Sequence, residues 1–491
     1  MAGIGFSLRR LMAPGTYSAY AKAYVYAALV GTGPWLLSVV CLALLGAFAV
    51  DPDDFATRQI FASTVVYVFG GTLVITGPLQ MVVTRYLADL HYTGDTTRIG
   101  ETFLPVLCIT GGLVALCAVP FFGLADVSVL YRLGAIALAV IIGCTWQVMV
   151  FLTTGGHYRV VVAVFAVGTV VSTVASIFGG ERWGLEGYLL GYTLGQAVIC
   201  VALVRHVLSR FGYPQRPDFG FLGHCQRYPA LLALGFTYNL AIWVDKFMFW
   251  GADLPEAFMN NTIAGHLATA PAYDSSMFMG FLTVIPALAH FLLVVETELA
   301  ERFHQYYDAV CFKHPLEEIE AARQALTRQV ALAFGGILKV QALFTGLCLC
   351  LAEPILKIFE MPYSQVALFR YACFGALLLS FIMFTIVTLL YMDRRRDALM
   401  LAVLFLSTNV IFTGATLYTG FAYYGIGFAG SALITLAVGL AILFRRLEDL
   451  SFITFAGTPL NGQRRLKRGH LARQDGGVGR YHPIHRRQEG A

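Results

Sequence analysis

The chain has 491 residues, of which 58% are hydrophobic and 13% are charged, and its mean hydropathy is +0.69. A soluble domain typically carries about 25% charged residues, so this composition excludes an ordinary soluble protein. The formal net charge of +5 is small, and where the charges lie along the chain matters more than their sum.

Long apolar stretches recur along the whole chain and are separated by short polar segments. A hydrocarbon core needs about 20 apolar residues for each helical crossing, so each stretch predicts one transmembrane helix. The twelve predicted spans are 20–50, 60–87, 101–124, 128–152, 158–178, 187–207, 228–250, 274–295, 330–351, 366–392, 398–419 and 423–444. The sequence therefore predicts an all-α polytopic membrane protein.

The segments that connect the spans alternate between rich and poor in Lys and Arg. Arg98, Arg159 and the run 394–396 belong to the rich set, whereas Arg58 and Lys357 are among the few basic residues of the other set. Loops with many Lys and Arg residues stay in the cytoplasm. We therefore expect a multi-pass protein with both termini in the cytoplasm.

A polar segment divides the predicted spans into two sets of six. We predict an N-terminal lobe over 1–211, a cytoplasmic linker over 212–226 and a C-terminal lobe over 227–447. GGTLVITGPLQMVV in the second span and MGFLTVIPALAHFLL in the eighth show a faint internal similarity. Because each half has an even number of spans, the two lobes would share one orientation and enclose a central cavity, which is typical of transporters.

Two further segments are too polar to lie in a membrane. The segment 296–328 contains good helix formers and is expected to continue the eighth span into the cytoplasm, although a helix on the membrane surface is an equally open alternative. The basic tail 448–491 is predicted to be disordered, because from Gly457 onward it has almost no apolar content.

Three proline motifs interrupt apolar spans. They are Gly33-Pro34 in the first span, Gly77-Pro78 in the second and Pro286 in the eighth. Proline removes a backbone donor and clashes with the preceding turn, so we expect bends at these positions. Membrane helices tolerate proline well, so a structural bend and a gating hinge remain equally open.

Ionisable side chains inside the spans are candidates for a polar pathway, because a charge that faces lipid costs several kcal/mol. Lys339 lies near the expected middle of the ninth span and is predicted to line a polar cavity, with pairing inside the helix bundle as the alternative. His290, in the eighth span, is either a hydrogen-bonded core residue or a proton relay.

Asp245 and Lys246 lie near the extracytoplasmic end of the seventh span. Adjacent residues point to different faces of a helix, so we expect no simple salt bridge between these two. Arg370 in the tenth span is a candidate partner for Asp245. Structural pairing and substrate contact are both open.

Motifs for other functions are missing from the sequence. It contains no G-x-x-x-x-G-K-[ST] phosphate-binding loop and no H-E-x-x-H zinc motif, and its ten cysteines have no metal-ligand spacing. We therefore expect no cofactor, no metal site, no nucleic-acid partner and no enzymatic activity.

Several long motifs, in order along the chain, resemble one family. The motifs are MAGIGFSLRRLM, TGPWLLS, TGPLQMVVTRYLAD, GFTYNLAIWVDKFMFW and HLATAPAYDSSMFMGFLTVIPALAHFLLVVETELAERF. They are similar to the PelG family of inner-membrane transporters in bacterial Pel exopolysaccharide systems, over residues 1 to about 446. The resemblance implies the superfamily of multidrug and oligosaccharidyl-lipid flippases, whose two six-helix lobes enclose a central cavity.

The resemblance also implies a cargo, partners and a location. The cargo would be a biofilm polymer rich in cationic sugars, made by a PelF-like cytosolic glycosyltransferase beside PelD- and PelE-like membrane proteins in the inner membrane. The basic tail departs from the family pattern. Candidate residues on the polymer route are Lys339, Asp245, Lys246, Arg370 and His290, with Trp243, Tyr238 and Trp35 as aromatic residues able to stack on sugars, although membrane aromatics more commonly anchor or pack.

Two other functions remain open. An ion-coupled antiporter of small molecules or drugs on the same fold requires a deep carboxylate, and the sequence places none near the middle of a span. A membrane scaffold that holds the synthase without transporting polymer would use the charged segment 296–328 and the cytoplasmic loops.

Overall fold

A computed structural model describes residues 11–12, 16–28, 41, 45, 55–155, 158–214, 216–252, 261–312 and 314–456. This part of the chain is mostly helical. The helices are α1 (17–28), α2 (Phe55–Thr93), α3 (Thr96–Gly123), α4 (Val129–Gly155), α5 (Tyr158–Phe211), α6 (Gly220–Arg227), α7 (Pro229–Gly251), α8 (Pro271–Leu282), α9 (Ile285–Val294), α10 (Ala300–Cys311), α11 (Leu316–Cys350), α12 (Ala352–Ile358), α13 (Val366–Tyr391), α14 (Arg395–Thr419), α15 (Ile426–Glu448) and α16 (Leu450–Ala456).

Nine helical segments within the described ranges are long and apolar enough to cross a membrane. One of them, in α5, consists of two antiparallel arms, because Gly184 leaves the helical conformation with φ 60° and ψ −133°. The arms touch so closely that a Cβ atom on Gly187 would lie 1.9 Å from the carbonyl oxygen of Gly179. The fifth and sixth predicted spans are thus the arms of one helical hairpin. The first predicted span is described only in part, so the count of twelve stays a prediction.

The described helices form two groups, each around its own apolar core. Helices α2–α5 bury side chains such as Val83, Phe103 and Phe151 in the N-terminal lobe. Helices α7–α16 bury side chains such as Phe384 and Phe405 in the C-terminal lobe. Large apolar side chains such as Leu116, Val201 and Leu343 are also exposed on the outer faces of the helices, as expected for a chain solvated by lipid.

Helices α2 and α7 run antiparallel and join the two lobes. At one end, the ring centres of Tyr67 and Trp250 lie 4.3 Å apart. At the other end, the guanidinium carbon of Arg85 lies 5.7 Å from the centre of the Tyr228 ring. We call the end with Tyr67 and Trp250 the hairpin face, after the strands described next. We call the end with Arg85 and Tyr228 the linker face, because Asp218 of the inter-lobe segment is hydrogen-bonded there to Tyr86 of α2.

A short antiparallel hairpin, which the all-α prediction did not include, covers part of the hairpin face. Its strands are β1 (Asn261–Ala264) and β2 (Leu267–Thr269), with Asn261 opposite Thr269. The Tyr67 hydroxyl donates to the Ala268 carbonyl at 2.6 Å, and Gln59 Nε2 donates to Thr269 Oγ1 at 3.0 Å. The hairpin belongs to the C-terminal half of the chain but binds α2 of the N-terminal lobe.

The polar segment 296–328 is helical, but it does not all extend the eighth span. A π-helical turn, Val295–Leu299, connects α9 to α10, which continues the eighth span as predicted. The stretch 316–328 instead forms the first turns of α11 and extends the ninth span. The assignment of that stretch to the eighth span is therefore wrong, because the chain turns between α10 and α11.

The disordered tail was predicted to begin at residue 448, which is too early in the chain. Residues Leu450–Ala456 form α16, which packs beside α10 and α11. Thr454 Oγ1 lies 3.1 Å from Tyr306 Oη, and Ser451 donates to Glu320 at 3.1 Å. The rest of the tail lies outside the described residues.

The predicted proline motifs differ in whether the helix is interrupted. Helix α2 continues through Pro78, whereas the eighth predicted span breaks at 283–284, directly before Pro286 in the first turn of α9. Gly33 and Pro34 lie outside the described residues.

Candidate substrate pathway

A buried ion pair lies within α7. Lys246 Nζ is 3.1 Å from Asp245 Oδ1 and 3.0 Å from Asp245 Oδ2, and the two residues are 6% and 0% exposed. The prediction that these neighbours would not pair is wrong. Side chains on a helix lean toward its N-terminus, and the long lysine folds back far enough to donate to the Ile242 carbonyl at 3.0 Å as well. In that position its ammonium also reaches the aspartate.

Residues from the following helices enclose the pair. The Tyr273 hydroxyl donates to Asp245 Oδ2 at 2.6 Å. Lys246 Nζ lies 4.7 Å from the centre of the Phe281 ring and 5.2 Å from that of Phe428. An ammonium over aromatic faces is stabilised by the negative potential of the rings, so the pair is partly compensated for its loss of water.

A second buried carboxylate, Asp274, follows Tyr273. Its Oδ2 accepts hydrogen bonds from Trp250 Nε1 at 2.8 Å and from the Ala270 amide at 3.2 Å, whereas its Oδ1 is buried without a hydrogen-bond partner. We call Asp245, Lys246, Tyr273, Asp274 and Trp250 the charge cluster. It holds two carboxylates and one ammonium, an imbalance that a bound proton or monovalent cation would remove.

Sequence reasoning missed Asp274 because this residue falls at the predicted start of a span, where a charge is inexpensive. The signal was a carboxylate followed directly by an apolar helical run, in AYDSSMFMGF.

An aromatic cavity lies between α2, α3, α4 and α7 at the hairpin face. Its volume is about 420 Å³. Its aromatic lining residues are Tyr67, Phe121, Phe122, Phe247, Trp250 and His266. Trp250 belongs both to this lining and to the charge cluster, so one side chain connects the two. Aromatic walls with a few polar groups are typical of small-ligand sites.

The predicted aromatic residues Trp243 and Tyr238 lie elsewhere on α7. The Trp243 ring is 6.2 Å from that of Phe247, and it packs so tightly on α2 that a Cβ atom on Gly70 would lie 2.7 Å from it. Tyr238 is half-buried against the C-terminal core. The structure thus places Trp243 between the lobes, beside the cavity rather than in its lining.

His290 joins α1 to α9. Its Nδ1 is hydrogen-bonded to the Tyr24 hydroxyl, and the two rings stack with their centres 5.7 Å apart. Its Nε2 is buried without a hydrogen-bond partner and faces Gly336 of α11, where a Cβ atom would lie 2.5 Å away. The histidine therefore touches both halves of the chain.

Lys339 lies one helical turn beyond Gly336 on α11. Its side chain is exposed, and within the described ranges it forms no ion pair. Leu338, which precedes Lys339, and Leu343, one helical turn after it, are 43% and 61% exposed. The structure does not bring Lys339 to the charge cluster.

Arg370 is not the partner of Asp245. Its side chain is exposed, whereas Asp245 is fully buried and is paired with Lys246. The expected Arg370–Asp245 pair is therefore wrong, because Tyr273 and Lys246 already occupy the carboxylate.

Two buried amides in the N-terminal lobe were also missed, because sequence reasoning considered only ionisable groups. Gln147 is fully buried and Gln196 is 2% exposed. Gln147 Nε2 lies 3.5 Å from the Thr76 carbonyl, and its Oε1 has no hydrogen-bond partner. Trp146 Nε1 donates at 3.2 Å to Thr72, which lines the aromatic cavity. A polar layer thus lies behind the cavity.

None of the described residues form a group of three or more His, Cys, Asp or Glu side chains able to hold a metal ion.

Comparisons with known proteins agree with this architecture. A family model described as "PelG: Putative exopolysaccharide Exporter (EPS-E)" matches residues 1–455. No curated protein sequence matches the chain.

Solved structures share the fold at low sequence identity. An outward-facing multidrug-resistance MATE transporter of the MOP superfamily has a TM-score of 0.61 and 14% identity, over 88% of this chain and 96% of its own. A MOP-superfamily transporter from Pyrococcus furiosus has a TM-score of 0.61 and 13% identity over the same shares. A mutant of the Vibrio cholerae MATE transporter VcmN has a TM-score of 0.60 and 13% identity, over 91% of this chain and 99% of its own. The predicted flippase-like fold of two helical lobes is confirmed.

Proposed function

The chain belongs to the PelG family, and from this premise we propose that it moves the Pel exopolysaccharide across the bacterial inner membrane. The observation that carries the proposal is the family match over residues 1–455. A PelF-like cytosolic glycosyltransferase would supply the polymer, beside PelD- and PelE-like membrane proteins. The linker face would be cytoplasmic, since arginine-rich loops stay on that side.

The aromatic cavity supports the proposal as a place for sugar rings. The rings of Tyr67, Phe247 and Trp250 line the cavity and can stack on the apolar faces of a sugar. The carboxylates of the charge cluster, which lies behind Trp250, can accept hydrogen bonds from the hydroxyl groups of the sugar. Stacking does not require one fixed sugar position, so successive sugar units of a polymer can slide past the same aromatic side chains. Lys339 and His290 are proposed to contact the polymer before it reaches the cavity.

A secretion assay tests this route. A deletion strain carrying Trp250→Leu should secrete much less polymer than one carrying the unchanged chain, at equal protein level in the membrane. Trp183→Leu is the matched control, because Trp183 is 64% exposed and lies outside the cavity lining. Normal secretion with Trp250→Leu would remove the cavity from the route.

Reconstitution separates transport from a scaffold role. Proteoliposomes that hold the chain and the glycosyltransferase should accumulate polymer that an added glycosidase cannot reach. Polymer synthesis without such protection would favour the scaffold, for which α10 and the first turns of α11 offer a charged docking surface.

The charge cluster favours a second candidate function, an ion-coupled antiporter of small molecules. A buried carboxylate oxygen without a partner, next to a second carboxylate, is the kind of group that binds and releases a coupling ion. Uptake of a fluorescent drug into vesicles, driven by an imposed cation gradient and dependent on the chain, would support this function.

A further inference from the structure

A second pocket lies on the linker face, separate from the aromatic cavity. Its volume is about 460 Å³. It is lined by Arg227, Tyr228, Pro229, Ala230 and the turn 393–396 between α13 and α14. Four arginines and one aspartate therefore surround it, an excess of three positive charges.

Two of these arginines are already paired. Arg395 donates to both carboxylate oxygens of Asp393, at 2.7 and 2.6 Å, and lies 4.2 Å from the centre of the Tyr228 ring. Arg394 donates at 3.0 Å to Asp397, which also accepts a hydrogen bond from Arg446. These pairs fix the positions of the two guanidinium groups.

The other two arginines have no carboxylate. Arg227 is exposed and lies 5.3 Å from the centre of the Tyr228 ring, and Arg396 is exposed beside it in the pocket lining. Neither forms an ion pair in the described part of the chain. Their positive charge is available to a ligand.

Two helix N-termini add to the positive potential. Helix α7 begins at Pro229 and α14 begins at Arg395, and neither has a side-chain cap on its first backbone amides. Uncapped amides and the positive end of the helix dipole attract anions, and phosphate groups in particular. Asp393, in the turn before α14, has a φ of 57°, which is rare for a residue other than glycine.

We propose that this arginine pocket binds an anion that carries phosphate groups. Guanidinium groups bind phosphate through paired hydrogen bonds, and the pocket volume falls within the range of about 300–1,000 Å³ typical of small-ligand sites. Arg85 of α2 lies 3.8 Å from Asp393, so the N-terminal lobe reaches the same site. The ligand is either a soluble phosphorylated metabolite or the headgroup of an anionic phospholipid.

Binding assays on the full-length protein in neutral detergent test the proposal and separate the two sources. Inorganic pyrophosphate is titrated by calorimetry, and co-purified phosphatidylglycerol is counted by native mass spectrometry. The variant is Arg227→Gln with Arg396→Gln. The control is Arg210→Gln, an exposed arginine at the end of α5 that does not line the pocket.

Saturable pyrophosphate binding that is roughly a hundredfold weaker in the double variant, about tenfold for each of its two arginines, and unchanged in Arg210→Gln supports a soluble phosphate ligand. Phosphatidylglycerol retained by the unchanged protein and by Arg210→Gln, but lost from the double variant, supports a lipid headgroup. Binding of neither probe overturns the proposal. Equal loss in Arg210→Gln and in the double variant also overturns it, because the effect would then be one of net charge.

Discussion

At the scale of single residues, the Asp245–Lys246 pair shows how a buried charge is tolerated. Removing both charges from water costs more than their attraction returns unless further hydrogen bonds satisfy them. Tyr273 and the Ile242 carbonyl supply two such bonds, at 2.6 and 3.0 Å. Since a pair of this kind is expected to add little net stability, a functional reason for its presence is favoured.

Removing one partner of this pair should be worse than removing both. Lys246→Met leaves a buried carboxylate without its cation, and we expect the free energy of unfolding to fall by about 3–5 kcal/mol. Asp245→Asn combined with Lys246→Met should recover most of that loss. Thermal unfolding in detergent measures both variants, and an equal loss in the two would show that the charges are not coupled.

Two interpretations of Lys339, exposure to lipid and contact with the polymer, predict different effects of replacing it. Its ammonium is exposed beside exposed leucines, and a charge held against lipid costs several kcal/mol. We expect Lys339→Ala to reduce polymer secretion severalfold at normal protein level, because the charge is proposed to contact the polymer. Full secretion by Lys339→Ala, together with an increased thermal stability, would place the lysine at the lipid surface instead.

The sequence identified the charged residues of the site better than their partners. Asp245 and Lys246 stand out because charges are rare in apolar spans, and both lie in the charge cluster. Their mutual pairing depends on Tyr273 and Phe281, which come from the next helix and whose position no local pattern gives. Gln147 was missed because its amide is uncharged, and only ionisable side chains within the spans were taken to indicate a polar pathway.

At the scale of helices and strands, the crossing of α2 and α7 is closest where two glycines meet. A Cβ atom on Gly235 would lie 2.2 Å from the Gly77 carbonyl oxygen, and one on Gly77 would lie 2.5 Å from the Gly235 carbonyl oxygen. The backbones touch there because neither residue has a side chain. Such contacts between small residues are a common way to hold membrane helices together.

Gly235→Ala should therefore push the two lobes apart. We expect it to lower the free energy of unfolding by about 1–3 kcal/mol, because the helices cannot keep their separation. Gly71→Ala is the control in α2, since a Cβ atom there meets nothing within 4 Å. Unfolding temperatures in detergent compare the two, and equal values would contradict the role of the crossing.

The β-hairpin connects the lobes by contacts that can be tested by cross-linking. Gln59 and Thr269 are hydrogen-bonded at 3.0 Å, so cysteines at both positions should be joined readily by a short reagent with two thiol-reactive groups, such as a bis-methanethiosulfonate. We expect cross-linking to stop secretion, because opening the cavity at this face requires the hairpin to leave α2. Each single-cysteine variant, treated with the same reagent, controls for reaction with the native cysteines. Unchanged secretion after complete cross-linking would show that the hairpin stays in place during transport.

Helices were predicted well from their apolar length, and the hairpin was not. Strands of four and three residues are too short to show an alternating pattern, and their pairing with Tyr67 is a contact between distant parts of the chain. The break between α10 and α11 was missed for a related reason. Residues 316–328 have high helix propensity, which shows that a helix forms but not which span it extends.

On the scale of the whole molecule, three of the contacts between the described parts of the two lobes differ in character. Helices α2 and α7 meet at the glycine crossing, Tyr24 meets His290, and the hairpin meets α2. When a polar contact opens, its donor and acceptor can form hydrogen bonds to water instead. The close backbone contact at the glycine crossing has no such replacement. We therefore expect the crossing to persist as the axis about which the lobes rock, while the two polar contacts open in turn.

The energy source of this motion is expected to act through Asp274, whose buried Oδ1 has no hydrogen-bond partner. In proteoliposomes with the glycosyltransferase, an imposed proton or sodium gradient should raise the rate of polymer uptake severalfold. Asp274→Asn should keep uptake without a gradient but lose the increase, because the amide cannot bind and release the ion. Asp126→Asn changes an exposed carboxylate at the same face and should behave like the unchanged chain. An increase that survives in Asp274→Asn would place the coupling elsewhere, and no increase in the unchanged chain would leave synthesis itself as the driving force.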